Sequence, residues 1–197
     1  MAASSSADDA IDVALRVAAA IELAGGSYFV GGSLASSLQG EPRATNDIDI
    51  VLTLPLGKLS SFVRALGADF EVDVDMLREA LLHGQSANIF YLPAVLKIDL
   101  FGIGPSPYDE AEFSRRRAVR VRPSGEQLVL KSPEDTVLRK LLWYRAGGSI
   151  SEQQWRDVVE VLRISGGAMD RGYLDQWAHQ LDLSELLQKA HTESSSR

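Results

Sequence analysis

A Gly31-Gly32-Ser33 turn is followed, fourteen residues after its serine, by Asp47 and Asp49 in an apolar run with Ile48, Ile50, Val51 and Leu52. Residues of these types at this spacing can build a metal–nucleotide site. Side chains alternate across a strand, so the two aspartates share one face and Ile48, Ile50 and Leu52 the other. Carboxylates side by side on a rigid strand repel unless a cation lies between them. A hard ion that binds through carboxylates and substrate phosphates, Mg²⁺ or Mn²⁺, meets that need. The stretch before the pair supplies a seat for phosphate: Ser27 to Val30 reads as a short buried strand, the glycines as a tight turn, and Leu34 to Gln39 as a helix start. Glycines let backbone amides approach phosphate oxygens, the Ser33 hydroxyl adds a donor, and the helix start carries favourable partial charge.

A third carboxylate, Asp99, lies in the apolar run from Val95 to Phe101. Buried there it needs a partner, which a metal would supply; the alternative is an edge-strand aspartate facing water. Further on, Ser132-Pro133-Glu134-Asp135 is a strong helix start, and the helix that it opens carries Arg139, Lys140 and Arg145. About 140° of helix separates Lys140 from Arg145, so the two do different work. Lys140 facing the carboxylates would meet a triphosphate and steady the leaving pyrophosphate. Alternatively, these cations with Glu152, Arg156 and Asp157 form a solvated face laced with ion pairs.

Val30-Gly31-Gly32-Ser33 followed by Arg43-Ala44-Thr45-Asn46-Asp47-Ile48-Asp49-Ile50 resembles the signature of the polymerase-beta-like nucleotidyltransferases. The resemblance implies a mixed-sheet α/β (α+β) fold, triphosphate at Gly31, Gly32 and Ser33, and Mg²⁺ (or Mn²⁺) on Asp47 and Asp49. Asp99 would complete the metal site or activate the attacking hydroxyl. Lys140-Leu141-Leu142-Trp143-Tyr144-Arg145 is similar to the Lys-Leu-x-x-x-Arg motif of the AbiEii/MenT-type nucleotidyltransferase toxins, and Trp155 to Leu162 is similar to their later motif, centred here on Asp157. On that likeness, which spans about residues 27 to 163, Lys140 and Asp157 belong near the active site, and Lys140 and Arg145 to the nucleotide. It further implies NMP transfer from an NTP to the 3′ end of tRNA, opposed by a cognate antitoxin protein.

The net charge of −7 argues against a generally basic nucleic-acid surface. A local patch exists nonetheless: Arg115, Arg116, Arg117, Arg120 and Arg122 fall within eight positions. They are candidates for gripping an RNA acceptor, or else a solvated strand edge protected by its charge. Other acceptors stay open, namely a small molecule such as an aminoglycoside or a protein hydroxyl, as does a non-catalytic relative that binds a partner. His83, His179 and His191 are too dispersed for a zinc cluster, and neither a Gly-x-Ser-x-Gly nor a P-loop pattern is present. Glu71, Asp73 and Asp75 also alternate with apolar residues, but no glycine turn precedes them, and Asp75 reads as a helix N-cap.

With 45% hydrophobic and 24% charged residues and no cysteine, the chain has an ordinary soluble composition, and no disulfide or thiolate ligand is possible. The tract from Val13 to Ala24 is broken by Arg16 and Glu22 and reads as an amphipathic helix, so the expectation is a cytoplasmic protein without a membrane segment. Periodicity predicts helices near 9–25, 32–38, 58–67, 75–82, 133–146, 151–165, 170–179 and 183–190. Strands are predicted at 27–30, 46–53, 86–92 and 95–101, with a hairpin around 117–130. The tails 1–7 and 192–197 read as frayed. The expected division is a nucleotidyltransferase core over 1–131 and a helical carboxy-terminal portion over 132–197.

Overall fold

The computed structural model describes residues 9–42, 45 and 47–195. Arg43, Ala44 and Asn46 of the aspartate motif, the stretch 1–8 and residues 196–197 lie outside the described residues. Helix α1 (Ala10–Leu23) starts at Asp9, whose side chain accepts from the Ile11 and Asp12 amides while Asp12 reaches back to Asp9. After β1 (Ser27–Val30) come α2 (Gly32–Gln39), β2 (Asp47–Thr53), α3 (Leu59–Leu66), β3 (Phe70–Val72), α4 (Val74–His83), β4 (Ser86–Tyr91) and β5 (Leu96–Gly102). Next are α5 (Pro107–Ser114), the hairpin β6 (Arg117–Arg120) and β7 (Gln127–Leu130), then α6 (Pro133–Ala146), α7 (Glu152–Ser165), α8 (Arg171–Gln180) and α9 (Ser184–Ser194).

The strands form one mixed sheet in the order β3-β4-β5-β2-β1-β7-β6. At its centre β2 runs parallel to β5 and antiparallel to β1, which is itself parallel to β7. Ile48, Ile50 and Leu52 of β2 join Ile98 and Leu100 of β5 in a core closed by Val13, Val17 and Ile21 of α1 and by Phe62 and Leu77 of α3 and α4. One sheet face is therefore filled with aliphatic side chains, and the period of two sends the aspartates to the other. A second apolar cluster joins Val137, Leu138 and Leu141 of α6 to Val158, Val159 and Leu162 of α7 and to Leu174 and Leu187 of α8 and α9, with Tyr108 of α5 contributing.

Helix α2 ties the two parts together. Gln39 donates to the Lys131 carbonyl (2.8 Å) and accepts from the Thr136 hydroxyl (2.6 Å), and Gly40 lies so close to Val161 of α7 that a Cβ would sit 3.2 Å from its backbone nitrogen. The clamp fixes the start of α6 against the end of the helix that follows the glycine turn.

Four features depart from the sequence reading. Phe70–Val72 is a strand rather than an unassigned segment, and Asp73, not Asp75, caps α4, accepting from the Asp75 and Met76 amides. Pro107–Ser114 is a helix where only a connection is expected. Helix α9 runs to Ser194, so Thr192 is helical and not frayed. No helix among the described residues is long and apolar enough to cross a membrane.

Candidate active site

The parallel register of β2 and β5 sets Asp47 opposite Lys97 and Asp49 opposite Asp99, so four charged side chains share one patch of one sheet face. Beyond them on the same face, Val51 stands opposite Phe101. The glycine turn closes over the patch. The Gly31 amide donates to the Asp49 carbonyl (2.8 Å), which fastens the turn to the aspartate strand instead of leaving that amide for a ligand. Gly32 has φ of +54°, and a Cβ there would lie 1.6 Å from Asp49 Oδ2, so conformation and close approach each demand glycine. No side chain caps α2, and its first residues, Gly32 and Ser33, line the cleft above the aspartate.

The opposite wall is cationic. Lys131, at the end of β7, has its Nζ 2.9 Å from Glu112 Oε1, and a Cβ on Gly31 would touch its Cε at 2.9 Å. Arg139 of α6 bonds both Glu112 and Asp109 of α5. Burial alone would raise the Glu112 carboxyl, but the charges and hydrogen bonds of Lys131 and Arg139 outweigh it and hold the group below its ordinary value. Lys140, one helix position on, pairs with Asp157 of α7 at 2.8 Å and donates to Gln154 at 3.2 Å; Ser36 of α2 donates to the same Asp157 oxygen at 3.2 Å. Buried ion pairs need such extra hydrogen bonds to offset desolvation.

Between the walls lies a cleft of about 270 Å³, lined on one side by Gly32, Ser33 and Asp49, on the other by Lys131, Arg139 and Lys140, with Phe101 and Trp143 as its aromatic surfaces. Trp143 is 61% exposed although large and apolar, which leaves a flat ring face at the cleft. Asp49 carries the strain of the arrangement: burial pushes its carboxyl up first, the Asp99 and Asp47 charges add to this, and Lys131 and Lys140 oppose it.

Three carboxylates in register on one face are the donor chemistry of a hard divalent cation. Asp47, Asp49 and Asp99 would hold it; burial is the larger part of the upward push on Asp49, and the part that comes from Asp99 and Asp47 is the repulsion such a charge would remove. Their oxygens have not converged: among the described residues no group of three acidic or histidine side chains is gathered tightly enough to hold an ion as it stands. Lys97 holds them instead, 2.9 Å from Asp99 and 3.9 Å from Asp47. The hydrogen bond that Lys97 donates to Asp99 is the chief reason that its ammonium is raised above its usual value.

The chain resembles in fold a crystal structure of an antigenic nucleotidyltransferase-like protein from Paracoccidioides brasiliensis, with 19% identity across 78% of this chain and 77% of that one, at a TM-score of 0.53. The chain has the nucleotidyltransferase fold. The solution structure of the antibiotic-resistance factor ANT(2″)-Ia also aligns, with 15% identity over 94% of this chain and 100% of that one, at a TM-score of 0.49. No protein-family model and no curated protein sequence matches the chain.

Within this nucleotidyltransferase fold, Gly31, Gly32, Ser33, Asp47, Asp49, Asp99, Lys140 and Asp157 are gathered on or beside one cleft. Arg145 is not with them. It donates to the carbonyls of Leu181 (2.9 Å) and Asp182 (2.7 Å), fastening α6 to the turn after α8, as the 140° between it and Lys140 anticipates. The arginine stretch is largely consumed by the fold. Arg115 bonds Glu134 (3.2 Å) and stacks over Tyr173, Arg116 donates to the Phe113 carbonyl and stacks on its ring, Arg117 lies 3.7 Å from Glu134, and Arg122 holds Asp9 and Asp12. Among the described residues no side-chain hydrogen bond, ion pair or ring contact holds Arg120, which is exposed on β6. The residues that sequence reasoning missed are Lys97, Glu112, Lys131, Arg139 and Trp143. The one local signal was Ser106-Pro107 with Asp109, the same capping pattern as at Ser132, which announces α5 and hence Glu112.

Proposed function

We propose that this chain is a Mg²⁺-dependent nucleotidyltransferase that uses an NTP, releases pyrophosphate and transfers NMP to the 3′ end of tRNA as the toxin of a toxin–antitoxin pair acting in the cytoplasm. The observation that carries the transferase reading is the facing of Asp47, Asp49 and Asp99, in strand register, by the glycine turn and the Lys140–Asp157 pair across one cleft. Triphosphate oxygens would lie on the α2 start at Gly32 and Ser33, and the nucleobase against Trp143 and Phe101. The acceptor hydroxyl oxygen attacks the α-phosphorus, its proton passes to Asp99, and the bond to the β-phosphate breaks. Lys140 and the first α2 amides meet the negative charge that builds on pyrophosphate. A divalent ion on the aspartates, when bound, supplies the charge that polarises the α-phosphate.

The tRNA and toxin reading rests on the resemblance at Lys140 and Asp157, and their direct pairing beside the cleft supports it. A second reading, transfer to a small molecule, draws on a different observation: four of the five clustered arginines are bound up with partners inside the fold, leaving little free basic surface for an RNA. Incubating the purified chain with Mg²⁺, each α-labelled NTP and total tRNA, then resolving the RNA on a denaturing gel, separates the two. Label at the tRNA 3′ end supports the first; NTP-dependent pyrophosphate release that needs an added small hydroxyl compound, with unlabelled tRNA, supports the second; neither with any acceptor overturns the transferase reading.

The glycine turn offers a sharp check. Gly32→Ala puts a methyl group onto the Asp49 carboxylate and forces a left-handed backbone on alanine. Misplacing a reacting group by about 1 Å costs about a hundredfold, so steady-state turnover in this variant should fall at least that far. A Gly32→Ala enzyme with wild-type kcat would contradict the placement of Asp49 in the chemistry.

A further inference from the structure

We propose that Lys97 is a built-in counter-ion that competes with a divalent cation for Asp99 and Asp47. The inference rests on the metal reading given above and extends it to how the site is held without metal.

Three observations carry it. First, register: Lys97 stands opposite Asp47 and two residues before Asp99 on the same strand, which places its stem on the carboxylate face, and its ammonium reaches Asp99 Oδ2 at 2.9 Å and Asp47 Oδ1 at 3.9 Å. It therefore takes the space between two of the three carboxylates that a cation would bridge. Second, exclusivity: among the described residues no other lysine or arginine lies within ion-pair distance of Asp47, Asp49 or Asp99. The cleft's other lysines are committed elsewhere, Lys131 to Glu112 and Lys140 to Asp157. Third, mobility: the Lys97 side chain is 39% exposed, whereas Asp99 is 15% exposed. The ammonium can swing into water on its flexible stem while the carboxylate stays, and a solvated ammonium regains its hydration.

Binding a divalent ion at these residues is then an exchange. The Lys97–Asp99 contact breaks, the ammonium moves out, and the ion takes both carboxylates with Asp49. The lysine keeps the patch from flying apart before metal arrives, and it weakens metal binding by the energy of the contact that must break and by the repulsion of a neighbouring positive charge. Lys97→Met keeps the stem and deletes the charge, so it should bind cation more tightly.

The test is a Mn²⁺ titration of the full chain at low ionic strength, read by loss of the free-ion electron paramagnetic resonance signal, first without and then with a non-hydrolysable NTP. The expected result is that Lys97→Met binds Mn²⁺ about threefold to tenfold more tightly than wild type in the absence of nucleotide. Lys97→Gln serves as a second variant should the methionine form prove unstable in a thermal melt. Measurable Mn²⁺ binding that is equal or weaker in both variants overturns the competition and leaves the metal reading standing. No Mn²⁺ binding by wild type or variants, with or without nucleotide, overturns both.

Discussion

Asp49→Asn should lower NMP transfer by roughly 10³-fold or more and, at neutral pH, raise the melting temperature by a few degrees. The two effects have one origin. Asp49 is held among Asp47 and Asp99 in a partly buried site, and burial first, then those neighbours, push its carboxyl above its ordinary value. Asparagine keeps the shape and removes the charge. The sign follows from linkage: a carboxyl whose folded-state value is raised binds its proton more tightly in the native chain. Its stabilising share is thus fully present below the unfolded value of 3.8 and is lost as pH rises through the folded one. The stability gain of Asp49→Asn should therefore vanish in acid and open above that range. Thermal melts of both proteins at pH 4 and pH 7 check it. A variant less stable than wild type at pH 7, without added metal, would show that the carboxylate cluster is not repulsive. Adding Mg²⁺ should narrow the gap by stabilising wild type more than the variant.

Glu112→Ala has the largest expected effect on folding. This carboxylate is 3% exposed and is the shared partner of Lys131 and Arg139. Removing it takes the carboxylate from Lys131 and leaves Arg139 with Asp109 alone in a poorly hydrated wall, and breaking a buried pair from one side costs about 3–5 kcal/mol. In a chain of this length each kcal/mol is worth about 2–4 °C, so the melting temperature should fall by about 10 °C. The pH dependence runs opposite to that of Asp49. Glu112 is held below its ordinary value, so its contribution is present above the unfolded value of 4.5 and is lost as pH falls through the folded one. Urea denaturation at pH 7 and pH 4 should find the gap between wild type and Glu112→Ala narrower in acid. A gap of under 1 kcal/mol at pH 7 would mean that Lys131 and Arg139 find other partners and that the cleft wall is not built on Glu112.

What was legible in the sequence follows from how local each signal is. The glycine turn and the Asp47/Asp49 strand stand out because period-two alternation and a special backbone position are written in neighbouring residues, and β5 shows the same alternation around Asp99. Helix α6 announces itself through Ser132-Pro133 and two acids in its first turn. Helix α5 carries the same kind of start at Ser106, yet it has eight residues and only two of them buried, so no apolar stripe reinforces the cap. Strand β3 has three residues, too few for alternation to be distinguished from chance. The cationic wall is illegible for a different reason: Lys131 and Glu112 are nineteen residues apart and Arg139 lies on another helix, so nothing local marks them as one network. The arginine stretch misleads in the opposite direction. A dense run suggests a surface patch, whereas Arg122 reaches Asp9 and Asp12 more than a hundred residues away.

The central claim is that one cleft seats a metal-bound nucleotide between the aspartate face and the Lys140 wall. Crystals of the chain soaked with Mn²⁺ and a non-hydrolysable NTP, with diffraction collected where manganese scatters anomalously, test it most directly. The account predicts an anomalous peak among Asp47, Asp49 and Asp99, triphosphate density on Gly32 and Ser33 facing Lys140, and the base beside Trp143. Nucleotide bound outside this cleft, or triphosphate in the cleft with no metal on the aspartates, would contradict it.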